Sequence, residues 1–228
     1  MIFFNNVTKI FENDVVGLQN VTIKIEKGEF VFFVGKNGSG KSTILKLITK
    51  EIEPTKGEIF VDDFGLENMS SKNISYYRRR LGIVNLSLGL LENKIVYDNI
   101  AFVMIATEQS SAQIKHIVPG ILSTVGMKGK MYAFPSELSD GEKLRITLAR
   151  ALVNSPDILL ADEPTASLDA DTAWDIMCLL DDINRIGITV LVATHAREIV
   201  NIMKKRVVNL HEGKILGDVK KGKYGSLL

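Results

Sequence analysis

The sequence predicts an α/β fold: a mostly parallel sheet with a helical lobe inserted into it. Three observations carry this. Residues Glu29 to Gly35, "EFVFFVG", are apolar at successive positions, as expected of a strand buried on both faces. Two later runs, "PDILLAD" and "ITVLVAT", are each followed by a helical pattern, and strand–helix–strand order implies right-handed parallel crossovers. Between Leu90 and Glu137 the strand signals fade and the chain reads as helical and polar, which is the inserted lobe.

Taken in order, "VTIKIEKGEF" alternates Val21, Ile23 and Ile25 with polar residues and predicts a strand with one wet face. "EFVFFVG" belongs in the middle of the sheet. The helix after "PDILLAD" begins near Asp171, and Ile176, Leu179, Leu180 and Ile183 repeat at helical spacing. Trp174 and the methionine of "DIMCLL", Met177, are expected to be packing residues of that helix. "YYRRR" (Tyr76 to Arg80) reads as a solvated helix end. "RVVNL" is a further strand, "HEGK" (His211 to Lys214) a hairpin turn, and "KKGKYGSLL" a loose tail with too few apolar residues to pack alone.

Composition excludes several classes. Of the 228 residues 46% are hydrophobic and 24% charged, an ordinary globular balance. A net charge of +1 offers no general attraction for nucleic acid or anionic lipid. The single cysteine, Cys178, can build neither a disulfide framework nor a cysteine metal site, which fits a reducing cytosol. No signal-peptide pattern opens the chain, and no apolar run reaches the ~18 residues of a spanning helix. Any work at a membrane is expected to go through a partner.

Two motifs carry chemistry. "GKNGSGKST", Gly35 to Thr43, fits the pattern G-x-x-x-x-G-K-[ST] with a strand before it and a helix after it. Its glycines let the backbone N–H groups turn toward a di- or triphosphate, and the helix N-terminus adds its positive end. Lys41 is expected to reach the β- and γ-phosphates and Ser42 to ligate Mg²⁺. Gly35, Asn37, Gly38, Ser39, Gly40, Lys41, Ser42 and Thr43 make up this candidate nucleotide site. "ILLADEPTASLD" ends a buried strand in two carboxylates. Asp162 is placed to hold Mg²⁺ through a water, and Glu163 to orient and deprotonate the water that attacks the γ-phosphate. Without the phosphate loop the same stretch would read as a strand that simply surfaces and turns. A small GTPase is excluded because "NKIV" at Asn93 lacks the aspartate of a guanine reader. A nucleotide kinase would have no use for "ELSDGEKLRITLARAL".

With that segment the chain resembles the nucleotide-binding subunit of the ABC ATPases over essentially its whole length, with motifs in the family's order. "LSDGE" (Leu138 to Glu142) is similar to the signature LSGGQ, "ILLADEP" to the Walker B strand, "SLDA" with Asp169 to the D-loop, and "ATHA" with His195 to the switch histidine. Phe11 in "VTKIF" matches the aromatic that stacks on adenine. The resemblance implies a RecA-like P-loop core with an N-terminal antiparallel β-subdomain and an inserted α-helical subdomain. Residues 1–89 and 150–220 would form the core, 90–149 the signature-bearing lobe, and 221–228 the tail. It also implies hydrolysis of ATP with Mg²⁺ in an ATP-sandwich homodimer, in which Ser139 and Gly141 face the γ-phosphate held by the second copy and His195 bonds it. Read alone, Ser139 with Glu142 is a capping box, His195 a satisfied structural histidine and Phe11 plain core.

"EFVFFVG", "RRRLGIV", "VYDNIAF", "EIVNIMKKRV" and "KGKYGS" are similar to the FtsE-type cell-division branch. That branch implies a cytoplasmic ATPase held at the inner face of the membrane by an FtsX-like partner controlling peptidoglycan hydrolases. The alternatives are a lipoprotein- or macrolide-type exporter ATPase and a weakly hydrolysing regulatory module. Two departures motivate the last: Asp140 stands where the signature has glycine, and Leu86 where the Q-loop has glutamine.

Overall fold

The computed structural model describes residues 1–67, 69–85 and 89–225, so the expected Q-loop position, Leu86, lies outside the described residues. Two sheets form. Strands β1 (Ile2–Ile10), β2 (Val16–Ile25), β4 (Lys56–Val61) and β5 (Phe64–Gly65) make an antiparallel sheet in the order β2-β1-β4-β5. Strands β3 (Phe30–Val34), β6 (Leu81–Val84), β7 (Ile158–Asp162), β8 (Thr189–Thr194), β9 (Arg206–His211) and β10 (Lys214–Val219) make the second, in the order β10-β9-β3-β8-β7-β6. It is parallel except for the β9–β10 hairpin, whose turn residues Glu212 and Gly213 both have positive φ.

β3 shows why this sheet holds the fold together. All five of its residues are buried, and successive side chains point to opposite faces. Phe30, Phe32 and Val34 join one apolar cluster, while Val31 and Phe33 join the other. The first cluster contains α3 (Val96–Ala106), α4 (Ser111–Thr124), α5 (Asp140–Leu152) and α6 (Ala170–Arg185), through residues such as Ile100, Val118, Leu144 and Ile176. The second holds α1 (Lys41–Ile48) and the inner face of the antiparallel sheet, including Val21, Ile23 and Ile25. The division between lobe and core expected at residue 149 falls inside α5. No helix among the described residues is long and apolar enough to cross a membrane.

Three local expectations are corrected. "YYRRR", at the end of α2 (Ser71–Arg78), is only partly a solvated end: Tyr76, Arg78 and Arg79 are exposed, but the segment also bonds inward. Tyr77 is buried and donates to Ile48 O at 2.6 Å. Arg78 donates to Thr49 O and Lys50 O, each at 2.9 Å, and Arg80 pairs with Asp62 and Asp157. Tyr77 and Arg78 thus cap the carbonyl end of α1, where cations and donors are favourable. Trp174 is 38% exposed, because the buried face of α6 runs through Ala173, Ile176, Met177, Leu180 and Ile183. The tail is anchored as far as Tyr224, which packs on the first cluster and whose N–H donates to Asn201 Oδ1 at 2.8 Å.

Burial pushes the Tyr77 hydroxyl far above its ordinary pKa, so it remains a donor. Tyr77→Phe leaves Ile48 O without this partner and should cost about 1–3 kcal/mol. Urea denaturation should show a lower midpoint with an unchanged slope; an unchanged midpoint would mean the bond contributes nothing.

Candidate nucleotide site

The phosphate loop joins β3 to α1 at the C-terminal edge of the parallel sheet. Two of its glycines are required by close approach. A Cβ at Gly35 would lie 2.2 Å from Leu210 O, and one at Gly40, where φ is +107°, would lie 2.6 Å from Gly17 O. Gly213, which sequence reasoning read only as a turn, braces the loop: its N–H donates to Ser39 O at 3.1 Å. Ser39 Oγ is buried without a partner among the described residues. A buried hydroxyl with nothing to bond is costly unless a ligand serves it.

Lys41 is buried, and its ammonium donates to Gly35 O at 2.9 Å and Lys36 O at 3.2 Å, with Glu163 Oε1 3.9 Å away. Ser42 Oγ donates to Asp162 Oδ1 at 3.0 Å. β7 carries Asp162 to this point because it lies two strands from β3, with β8 between them. Glu163 turns out of β7 with φ +46°, its N–H donating to Ala193 O at 2.9 Å. Its Oε2 lies 2.9 Å from His195 Nδ1 and accepts from His195 N–H at 3.3 Å. The structure therefore brings Lys41, Ser42, Asp162, Glu163 and His195 together. Phe11 borders them: a Cβ at Gly17 would meet Phe11 Cε2 at 2.6 Å and Thr43 Cγ2 at 3.1 Å, so the ring edge lies beside the end of the loop. Phe11 is 36% exposed, and Lys9 Nζ sits 5.4 Å from its centroid.

Among the described residues no group of three or more His, Cys, Asp and Glu side chains could hold a metal alone. The Ser42–Asp162 pair fits Mg²⁺, which takes hard oxygen ligands and is commonly held by one or two protein groups plus substrate phosphates.

Ser139, Gly141 and Asp169 form a second group. Ser139 caps α5 by accepting from Glu142 N at 3.3 Å while Glu142 accepts from Ser139 N at 2.9 Å, the expected capping box. The Lys130 ammonium and these bonds hold the Glu142 carboxyl below the usual range. Asp169 caps α6 by accepting from Thr172 N at 2.9 Å, and that hydrogen bond lowers its pKa. A Cβ at Gly141 would stand 2.4 Å from Thr172 Cγ2, so the two helix starts pack against each other. Asp140 is 70% exposed at the first turn of α5, with Lys143 Nζ 4.0 Å away. No hydrogen bond or ion pair described here links this group to Lys41 and Glu163.

The comparisons agree with this geometry. The family model described as "ABC transporter" matches residues 18–166. Among curated proteins, the cell division ATP-binding protein FtsE of Bacillus subtilis is 42% identical over 226 residues, 99% of each chain. That of Mycobacterium tuberculosis is 43% identical over 99% of this chain and 98% of its own. A solved "dimeric structure of a post-hydrolysis state of the ATP-binding cassette MJ0796 bound to ADP and Pi" superposes with a TM-score of 0.86 at 31% identity, covering 98% of this chain and 100% of that one. Lys41, Ser42, Asp162 and Glu163 lie inside the residues that the family model matches and His195 beyond them, and the chain belongs to the ABC transporter family as one of its ATPases.

Proposed function

We propose that the chain is the ATP-hydrolysing subunit of a membrane complex in cell division, working as an ATP-sandwich homodimer. The placement of the Glu163 carboxylate, between buried Lys41 and His195 and next to the Ser42–Asp162 pair, carries the reading. Lys41 and the N-terminus of α1 bind and orient the triphosphate, and Phe11 offers its face to adenine. Ser42 and Asp162 would hold Mg²⁺, which supplies charge neutralisation on the phosphates. Glu163 accepts the proton of the attacking water. His195 holds that carboxylate through Nδ1; donating also to a phosphate oxygen through Nε2 requires the imidazolium form. The Ser139–Asp169 group supports a site completed by a second copy, since among the described residues no hydrogen bond or ion pair joins it to Lys41 of the same chain.

A cavity of about 670 Å³, bounded by α2, β6, α3 and α5, supports a membrane partner. Phe102 is 58% exposed there and Leu91 37%, beside Arg79 and Arg150; burial lowers the pKa of Arg150. An amphipathic segment with acidic residues, contributed by an FtsX-like protein, matches that lining. The full-length likeness to FtsE proteins names the branch. Purified chain should release phosphate from ATP only with Mg²⁺ and should co-purify with an FtsX-like subunit from membranes. No release with or without the partner would overturn the enzymatic reading, and release without co-purification the cell-division one.

Asp140 places a carboxylate at the end of α5 assigned to the partner copy's triphosphate. Asp140→Gly should tighten ATP-dependent pairing by up to about fivefold, the scale of a ~1 kcal/mol charge repulsion. Sedimentation with Mg-ATP checks this, and weaker pairing would reverse the sign assigned to Asp140.

A further inference from the structure

The last described residues form a strap across α7 (Arg197–Met203) that ends on the phosphate loop. Gly222 N–H donates to Lys205 O at 3.1 Å, and Tyr224 N–H donates to Asn201 Oδ1 at 2.8 Å. The Arg197 guanidinium lies 4.9 Å from the Tyr224 ring centroid. Beyond the ring, the Tyr224 hydroxyl donates to Gly35 O at 3.4 Å. One residue thus touches both the helix that follows His195 and the first carbonyl of the phosphate loop.

Gly35 O and Lys36 O are the two carbonyls that occupy Lys41 Nζ. An ammonium has three donors, so one is free for a triphosphate, and a second, needed to reach both the β- and γ-phosphates, is taken from one of these carbonyls. Lys36 O keeps another donor, the Ser39 N–H at 3.1 Å. Gly35 is buried, and among the described residues the donor that remains to its carbonyl is the Tyr224 hydroxyl. A buried carbonyl stripped of its donor opposes whatever strips it.

We propose that Tyr224 is a positioning residue for nucleotide loading: its hydroxyl keeps Gly35 O satisfied when Lys41 turns to the triphosphate. The inference rests on the ATPase reading. Removing the hydroxyl penalises only the loaded state, because in the unloaded state Lys41 still serves Gly35 O.

The test is Tyr224→Phe, which keeps the ring, its packing and its contact with Arg197. Calorimetric titration with Mg-ATP should show Kd raised about fivefold to tenfold. Turnover at saturating ATP and the melting midpoint without nucleotide should match the parent, while the ATP-induced rise in midpoint shrinks. Tyr224→Leu, which also loses the ring, should bind weakly and melt lower. Parent-like affinity in Tyr224→Phe would overturn the proposal. So would an equal loss of nucleotide-free stability in both variants, since the tyrosine would then act only as packing. A parent protein that binds no Mg-ATP would overturn the ATPase reading itself, and this inference with it.

Discussion

Glu163→Gln is expected to cut ATP turnover about 10²–10⁴-fold, the usual loss for a positioned general base, while leaving ATP affinity near that of the parent. The amide keeps the shape of the carboxylate and can still accept a hydrogen bond from His195, now 2.9 Å from Oε2. It cannot take the proton of the attacking water. The Lys41 ammonium, 3.9 Å from Oε1, loses a negative neighbour, which favours the triphosphate as its counter-ion. Phosphate release and nucleotide titration measured on the same preparation check both halves. Turnover equal to the parent's would remove Glu163 from the chemistry.

Lys41→Ala should abolish measurable binding of Mg-ATP. The lysine is buried and held by two loop carbonyls, so its charge is already desolvated and aimed at the loop. In such surroundings an ion pair with phosphate is much stronger than in water. Deleting it also removes a donor from Gly35 O and from Lys36 O, so a loss of folding stability accompanies the loss of binding. Calorimetry separates the two effects, because circular dichroism shows whether the variant is folded at the titration temperature. A folded variant with parent-like affinity would contradict the assigned role.

The parts of the fold legible in the sequence are those set by local pattern. β3, β7 and β8 declare themselves by uninterrupted apolar runs, and the helix start at Ser139 by its capping box. β1 carries no such signal, since Asn6 adopts φ +49° and the register shifts between Phe4 and Val7 break the alternation. What "YYRRR" bonds was illegible for a different reason: its partners are backbone carbonyls 28 and 29 residues away at the end of α1. The tail looked loose because apolar content measures packing, whereas Tyr224 is held largely by hydrogen bonds and a cation–π contact. In the site, Lys41, Ser42, Asp162 and Glu163 were legible because phosphate chemistry dictates residue types at strand ends, and the parallel sheet brings those ends together, whereas His195 was legible only through the family resemblance. Gly17 and Gly213 were not, since their importance lies in what a Cβ would strike.

The composite, two-copy site is tested most directly by the mass of Glu163→Gln in solution, measured by light scattering on a size-exclusion column. One chain is 25.2 kDa. The variant should elute with the mass of one chain without nucleotide and of two chains with Mg-ATP, and Ser139→Arg in the same background should return it to one. A single-chain mass with ATP demonstrably bound would contradict a site completed by a second copy.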